Sequence, residues 1–99
     1  MEIISGNTKT TDLIKIADNE AKLIVCFSRE ECHRVFEYAN KIGANIHLPI
    51  TYEEMINKRY SSRNVKSLLL DNMDDFLNYV ASGKLEAVSI SSDFKNKIA

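Results

Sequence analysis

The stretch "GNTKTT", Gly6 to Thr11, holds the residue types that an anion site uses. A phosphate loop needs a backbone that curls so that successive amides aim at the anion, a lysine for the outer phosphates and a hydroxyl for magnesium. Gly6, Lys9 and Thr10 are residues of those three types. Farther along, "SLLLDN" ends an apolar run on Asp71, a carboxylate directly after a candidate strand. Both features also have an ordinary structural reading. The first is equally a polar strand-to-helix turn, with Thr10 or Thr11 near the helix cap and Lys9 in solvent, and Asp71 is equally a capping carboxylate at the end of a core strand.

Other candidate chemistries are weaker. "CFSREECH" sets Cys26 and Cys32 in a C-x5-C-H pattern that matches no common zinc spacing and has no second ligand pair later in the chain. Both are expected as free thiols, Cys26 small and buried at a strand end and Cys32 in the first turn of the next helix. His33 and His47 read as surface or satisfied core histidines, and no Ser-His-Asp arrangement can be read from the spacing. "INKRYSSRNVK" gathers Lys58, Arg59, Arg63 and Lys66 around Tyr60, with no acid between Glu54 and Asp71. That segment is the candidate partner-binding patch: its cations suit a phosphodiester backbone or an acidic protein surface, and the tyrosine suits base stacking. A solvated helix end, with basic residues opposing the helix dipole, explains the same residues.

These groups need a scaffold, and 99 residues with 44% apolar and 27% charged side chains are enough for one domain with one modest core. A single domain over residues 1–99 is expected, with a polar tail from about residue 93 onward. A formal net charge of -1 gives no overall pull toward nucleic acid or acidic lipid, so any such binding must rest on a patch. "MEIISGNT" has no basic n-region, and no apolar stretch approaches a bilayer span, so a cytoplasmic protein that does not use a membrane is expected.

Strands and helices alternate in the pattern. "MEII" reads as a strand entering a turn, and "TTDLIKIADNE" as a helix with Asp12 in its first turn. "AKLIVCF" is an unbroken apolar run, the mark of a strand covered on both faces. "SREE" is a capping box from Ser28 to Glu31, opening a helix that Gly43 stops. "ANIHLPI" reads as a short strand ended by Pro49, and "TYEEMINKRY" as a helix with its own box, Thr51 to Glu54. "VKSLLLDN" repeats the pattern of a strand covered on both faces, and "MDDFLNYVASG" and "KLEAVSISS" give a helix and a last strand. Five strands alternating with four helices predict an α/β fold, an open three-layer parallel sheet with helices on both faces. In such a sheet ligands favour the carboxyl ends of the strands, where Gly6 to Thr11, Ser28, Asp71, Ser91 and Ser92 all fall.

At this point the chain resembles the P-loop nucleoside triphosphatases, and more closely the small proteins of that Rossmann-like fold encoded by bacteriophages and prophages. "GNTKTTDLIKIA" is similar to a degenerate Walker A loop with its helix, "SLLLDN" to a Walker B strand and "AVSIS" to the sensor strand. The resemblance implies that Lys9 contacts phosphates, that Thr10 ligates magnesium and that Asp71 holds that ion through water. It also implies that the last strand lies between the first and the Walker-B-like strand. The departures are that Thr8 precedes Lys9 and that Gly6 lies three residues before the lysine instead of six. Asn72 stands where hydrolytic members carry a water-activating glutamate, and an amide cannot accept that proton. No arginine finger is evident, though Arg29, Arg34, Arg59 and Arg63 are available for a contribution in trans.

The leading expectation is therefore a small phage or prophage accessory protein in the host cytoplasm, binding or regulating a host or phage protein or nucleic acid, with no cofactor and no appreciable hydrolysis. The second is a nucleotide-binding protein or weak nucleotidase that takes Mg-ATP or Mg-GTP on Gly6, Lys9, Thr10 and Asp71, with Thr10 and Asp71 as metal ligands. The third is a structural subunit of a homo-oligomer.

Overall fold

The computed structural model describes residues 3–60 and 64–84, together with 86, 87 and 89. Its elements run α1 (Lys9–Ala17), β1 (Lys22–Cys26), α2 (Arg29–Lys41), β2 (Ile50–Thr51), α3 (Tyr52–Ile56), β3 (Ser67–Leu70) and α4 (Met73–Val80). The three strands form one open sheet in the order β2-β1-β3, and every pairing is parallel. Val25 lies opposite Ile50 on one side and opposite Leu70 on the other.

β1 occupies the centre because its sequence is apolar on both faces. Successive side chains of a strand point to opposite sides. Ile24 and Cys26 accordingly join a core with Leu13, Ile14 and Ala17 of α1 and Cys32, Val35 and Ala39 of α2. Leu23 and Val25 join a second core with Ile50 and Tyr52, against which Met55 of α3 and Phe76 of α4 pack. Helices thus cover both faces, as the unbroken run predicted. The leucines of β3 divide in the same way, Leu69 to the first core and Leu68 and Leu70 to the second. All three remain partly exposed, and β3 has one neighbour among the described residues, where "VKSLLLDN" had suggested a fully covered strand.

Local chemistry sets the element boundaries. Ser28 Oγ accepts the Glu31 N–H at 3.2 Å, but the Glu31 carboxylate turns to Arg34 at 2.7 Å, so the capping box expected there is half formed. Gly43 follows α2 at φ 81°, a left-handed conformation that glycine adopts without a Cβ clash. Residues 44–49 form no ladder, correcting the strand expected over "ANIHLPI"; Pro49 has no N–H to donate, and pairing begins at Ile50. The next helix stops at Ile56, short of Tyr60, and Lys58 has left-handed backbone at φ 56°. Ile3, Ile4, Glu86, Ala87 and Ser89 lie in no strand. Met1, Glu2, Leu85, Val88 and residues 90–99 lie outside the described residues. The expected first and fifth strands, the place of the last strand in the order and the polar tail therefore fall wholly or partly there. No helix among the described residues is long and apolar enough to cross a membrane.

The capping box of α3 is complete. Thr51 Oγ1 accepts the Glu54 N–H at 3.1 Å, and the Glu54 carboxylate accepts the Thr51 N–H at 3.0 Å and the Arg29 guanidinium at 2.6 Å. Partial burial alone would raise the Glu54 carboxyl, but the Thr51 amide and Arg29 outweigh it and hold the group below its ordinary range. Because this box fixes the step from β2 to α3, Thr51→Ala is expected to cost about 1 kcal/mol, read as a lower urea midpoint at unchanged slope.

Candidate functional site

The site forms where α1 begins and β3 ends. Thr10 and Asp71, separated by 61 residues in the chain, meet there, with Thr10 Oγ1 at 3.4 Å from each carboxylate oxygen. The contact is long and shared between the two oxygens, a weak hydrogen bond by geometry. Asp71 is 2% exposed and is the one buried charged side chain among the described residues. Burial pushes its carboxyl above the ordinary range, the Lys9 cation and the Thr10 hydroxyl pull it back, and Glu31 adds to the push.

The turn that carries Asp71 is held from below. The Tyr52 hydroxyl donates to the Asp71 carbonyl at 2.7 Å and to the Asn72 carbonyl at 3.0 Å. The Asp71 N–H donates to the Val25 carbonyl at 2.9 Å, extending the ladder by one bond. Asn72 then takes a left-handed conformation, φ 59°, which asparagine tolerates better than most side chains, and caps α4 without a side-chain bond. Burial pushes the Tyr52 hydroxyl above its ordinary value, and the negative charges of Asp75 and Asp71 add to it.

On the α1 side, Gly6 turns the chain at φ 108° with open space around it. Thr8 caps α1 without a side-chain bond to its amides and instead donates its hydroxyl to Asp12 at 3.2 Å. Lys9 is the first helical residue and is half-buried, with no ion-pair partner among the described residues. The structure thus brings Lys9, Thr10 and Asp71 together at the carboxyl end of the sheet.

Ser28 at the same end serves as the cap of α2, and Ser91 and Ser92 lie outside the described residues. Cys26 and Cys32 are free and buried in the first core. The neighbouring Cys32 thiol, and after it burial, pushes Cys26 above its ordinary value. The Cys26 thiol in turn, helped by Arg29, draws Cys32 down against the effect of burial.

Of the basic segment, Lys58, Arg59 and Lys66 are exposed. Lys58 and Arg59 are exposed after α3, whereas Tyr60 packs against the second core and Lys66 precedes β3, at the opposite end from Asp71. Arg63 lies outside the described residues. His33 and His47 are exposed. His47 borders a hollow of about 330 Å³ with Asn19 and Asn45 at the start of β1. No group of three or more potential metal ligands clusters among the described residues.

The sequence reading missed an aromatic group at the carboxyl end of the sheet. Tyr52 lies 5.2 Å from Phe76, 5.8 Å from Phe27 and 5.9 Å from Tyr79 between ring centroids, and Phe27 lies 6.2 Å from Tyr79. Phe27 is 52% exposed and Tyr79 39%. The available signals were an aromatic residue directly after the buried strand and the i, i+3 spacing of Phe76 and Tyr79. The chain matches no protein-family model, no curated protein and no solved structure.

Proposed function

We propose that the domain is a binding module for a partner protein, built on the framework of a nucleotide site and without appreciable hydrolysis of nucleoside triphosphates. The observation that carries this reading is the state of Asp71. Its carboxyl is buried, is harder to ionise than an exposed one and contacts Thr10, features that disfavour a hydrated cation there. The next residue, Asn72, has no basic side chain, and its carbonyl is held by Tyr52. Exposed Phe27 and Tyr79 offer contact area at the same end of the sheet. Nucleic acid is the lesser partner class, because the tyrosine that would stack on a base packs against the core.

A second reading, nucleotide binding on Gly6, Lys9, Thr10 and Asp71, is favoured by the Thr10 to Asp71 contact. The hydroxyl and carboxylate that the P-loop resemblance assigns to Mg-ATP or Mg-GTP do lie together. Incubation of the full chain with magnesium and ATP or GTP separates the two. The expected result is turnover at background and no saturable heat in calorimetry, with Lys9→Ala changing stability by no more than about 0.5 kcal/mol. Turnover that both Lys9→Ala and Asp71→Ala abolish would overturn the first reading and establish the second.

A further inference from the structure

Cys26 is the last residue of β1, Cys32 lies in the first turn of α2, and both thiols are free. We propose that they are a redox pair, joined as a disulfide by hydrogen peroxide, which ties the start of α2 to the end of the central strand.

The placement follows from the connection between the two elements. β1 and β2 are parallel, so α2 must carry the chain back across the sheet between them. Cys26 lies on the face of β1 that α2 covers, and only Phe27 and Ser28 separate strand from helix. The Cys32 N–H donates to the Ser28 carbonyl at 3.0 Å, which holds Cys32 one helical turn above a residue two places from Cys26. Both side chains enter the first core, where they are at most 1% exposed. The C-x5-C spacing, which matches no common zinc pattern, thus brings two sulfurs to one side of the sheet.

The thiols differ in the way the reaction requires. The Cys26 thiol and then Arg29 draw Cys32 toward its thiolate against the effect of burial, and the start of a helix favours that form. Cys26 is pushed the other way by Cys32 and by burial and keeps its proton. Cys32 is therefore the attacking sulfur. Its thiolate takes one oxygen of the peroxide, the O–O bond breaks, and the hydroxide released recovers the proton that Cys32 gave up, forming water. The Cys26 thiol then attacks the sulfenic sulfur, the S–O bond breaks, and the hydroxyl leaves with the Cys26 proton as a second water. One peroxide is reduced to two waters while two thiols are oxidised to one disulfide.

Because both sulfurs are buried, peroxide reaches them when the first turn of α2 opens. That turn is lightly held. Its side-chain cap is the single Ser28 bond to the Glu31 N–H, and Arg29, which joins it to Glu54, is 51% exposed.

The test is exposure of the folded full chain to hydrogen peroxide, alkylation of the remaining thiols, tryptic digestion without reductant and mass spectrometry. Arg29 and Arg34 place the two thiols in separate peptides, Leu23–Arg29 and Glu30–Arg34. The expected result is these peptides joined within one chain, lighter by two hydrogens than their sum and parted by reductant. Ser28→Ala removes the cap and is expected to speed the linkage about fivefold. Thiols that stay open to alkylation in the folded chain under conditions that link the urea-unfolded chain would overturn the pair. Linkage only between chains, oxidation to sulfinic acid without joined peptides, or an unchanged rate in Ser28→Ala would also overturn it.

Discussion

Truncation of Tyr52 to alanine is expected to remove about 3 to 5 kcal/mol of stability, a large share of what a domain of this size possesses. Tyr52 is fully buried, and its ring sits in the second core between Phe27, Phe76 and Tyr79. Its hydroxyl satisfies two carbonyls at the turn from β3 into α4. Tyr52→Phe retains the ring and removes the donor, so its expected cost is smaller, about 1 to 2 kcal/mol. Urea unfolding of the three proteins checks the ordering. A phenylalanine variant as stable as the parent would mean that the turn does not depend on the hydroxyl.

Asp71→Asn is expected to stabilise the domain, by on the order of 1 kcal/mol at neutral pH, because it removes a buried charge while keeping the shape. The sign of the pH dependence follows from the direction of the shift. The unfolded chain releases this proton in the ordinary carboxylate range, whereas the folded chain, with its carboxyl raised by burial, releases it only at higher pH. Between the two, folding takes up a proton, and stability falls as pH rises through that window. Below the ordinary range both states hold the proton and this loss vanishes. Thermal unfolding from about pH 4 to pH 8 should show the gap between variant and parent widen with pH. A gap that stays constant or narrows would mean that Asp71 ionises as easily in the folded chain as in the unfolded one.

Much of the scaffold is legible in the residues themselves. The run at β1 has no polar alternation, and that is enough to require cover on both faces and parallel neighbours. Ser28, Thr51, Gly43 and Gly83 mark turns because each acts through its own backbone or the next few amides. Gly6 to Thr11 and Asp71 were expected at one end of the sheet because ligand groups gather at strand ends, and Thr10 and Asp71 do meet. What escaped were features created by packing. Residues 44–49 alternate Ile46 and Leu48 with polar residues yet find no ladder, and α3 stops after Ile56 although Lys58 and Arg59 are suitable helix formers. Tyr60 looked free in a cationic segment but is claimed by Leu23 and its neighbours. The Tyr52 hydroxyl and the exposed pair Phe27 and Tyr79 depend on contacts between distant segments, which no local spacing announces.

The central place of β1 couples the two halves of the domain. Ile24 and Cys26 belong to the core under α1 and α2, Leu23 and Val25 to the core under α3 and α4, and the strand's backbone is bonded to both neighbouring strands. Neither core can melt as a separate foldon without stripping one face of the strand on which the other is built. The most protected amides against hydrogen exchange therefore belong to Leu23 through Cys26, and the helices on opposite faces share one cooperative transition although they bury their side chains in different cores.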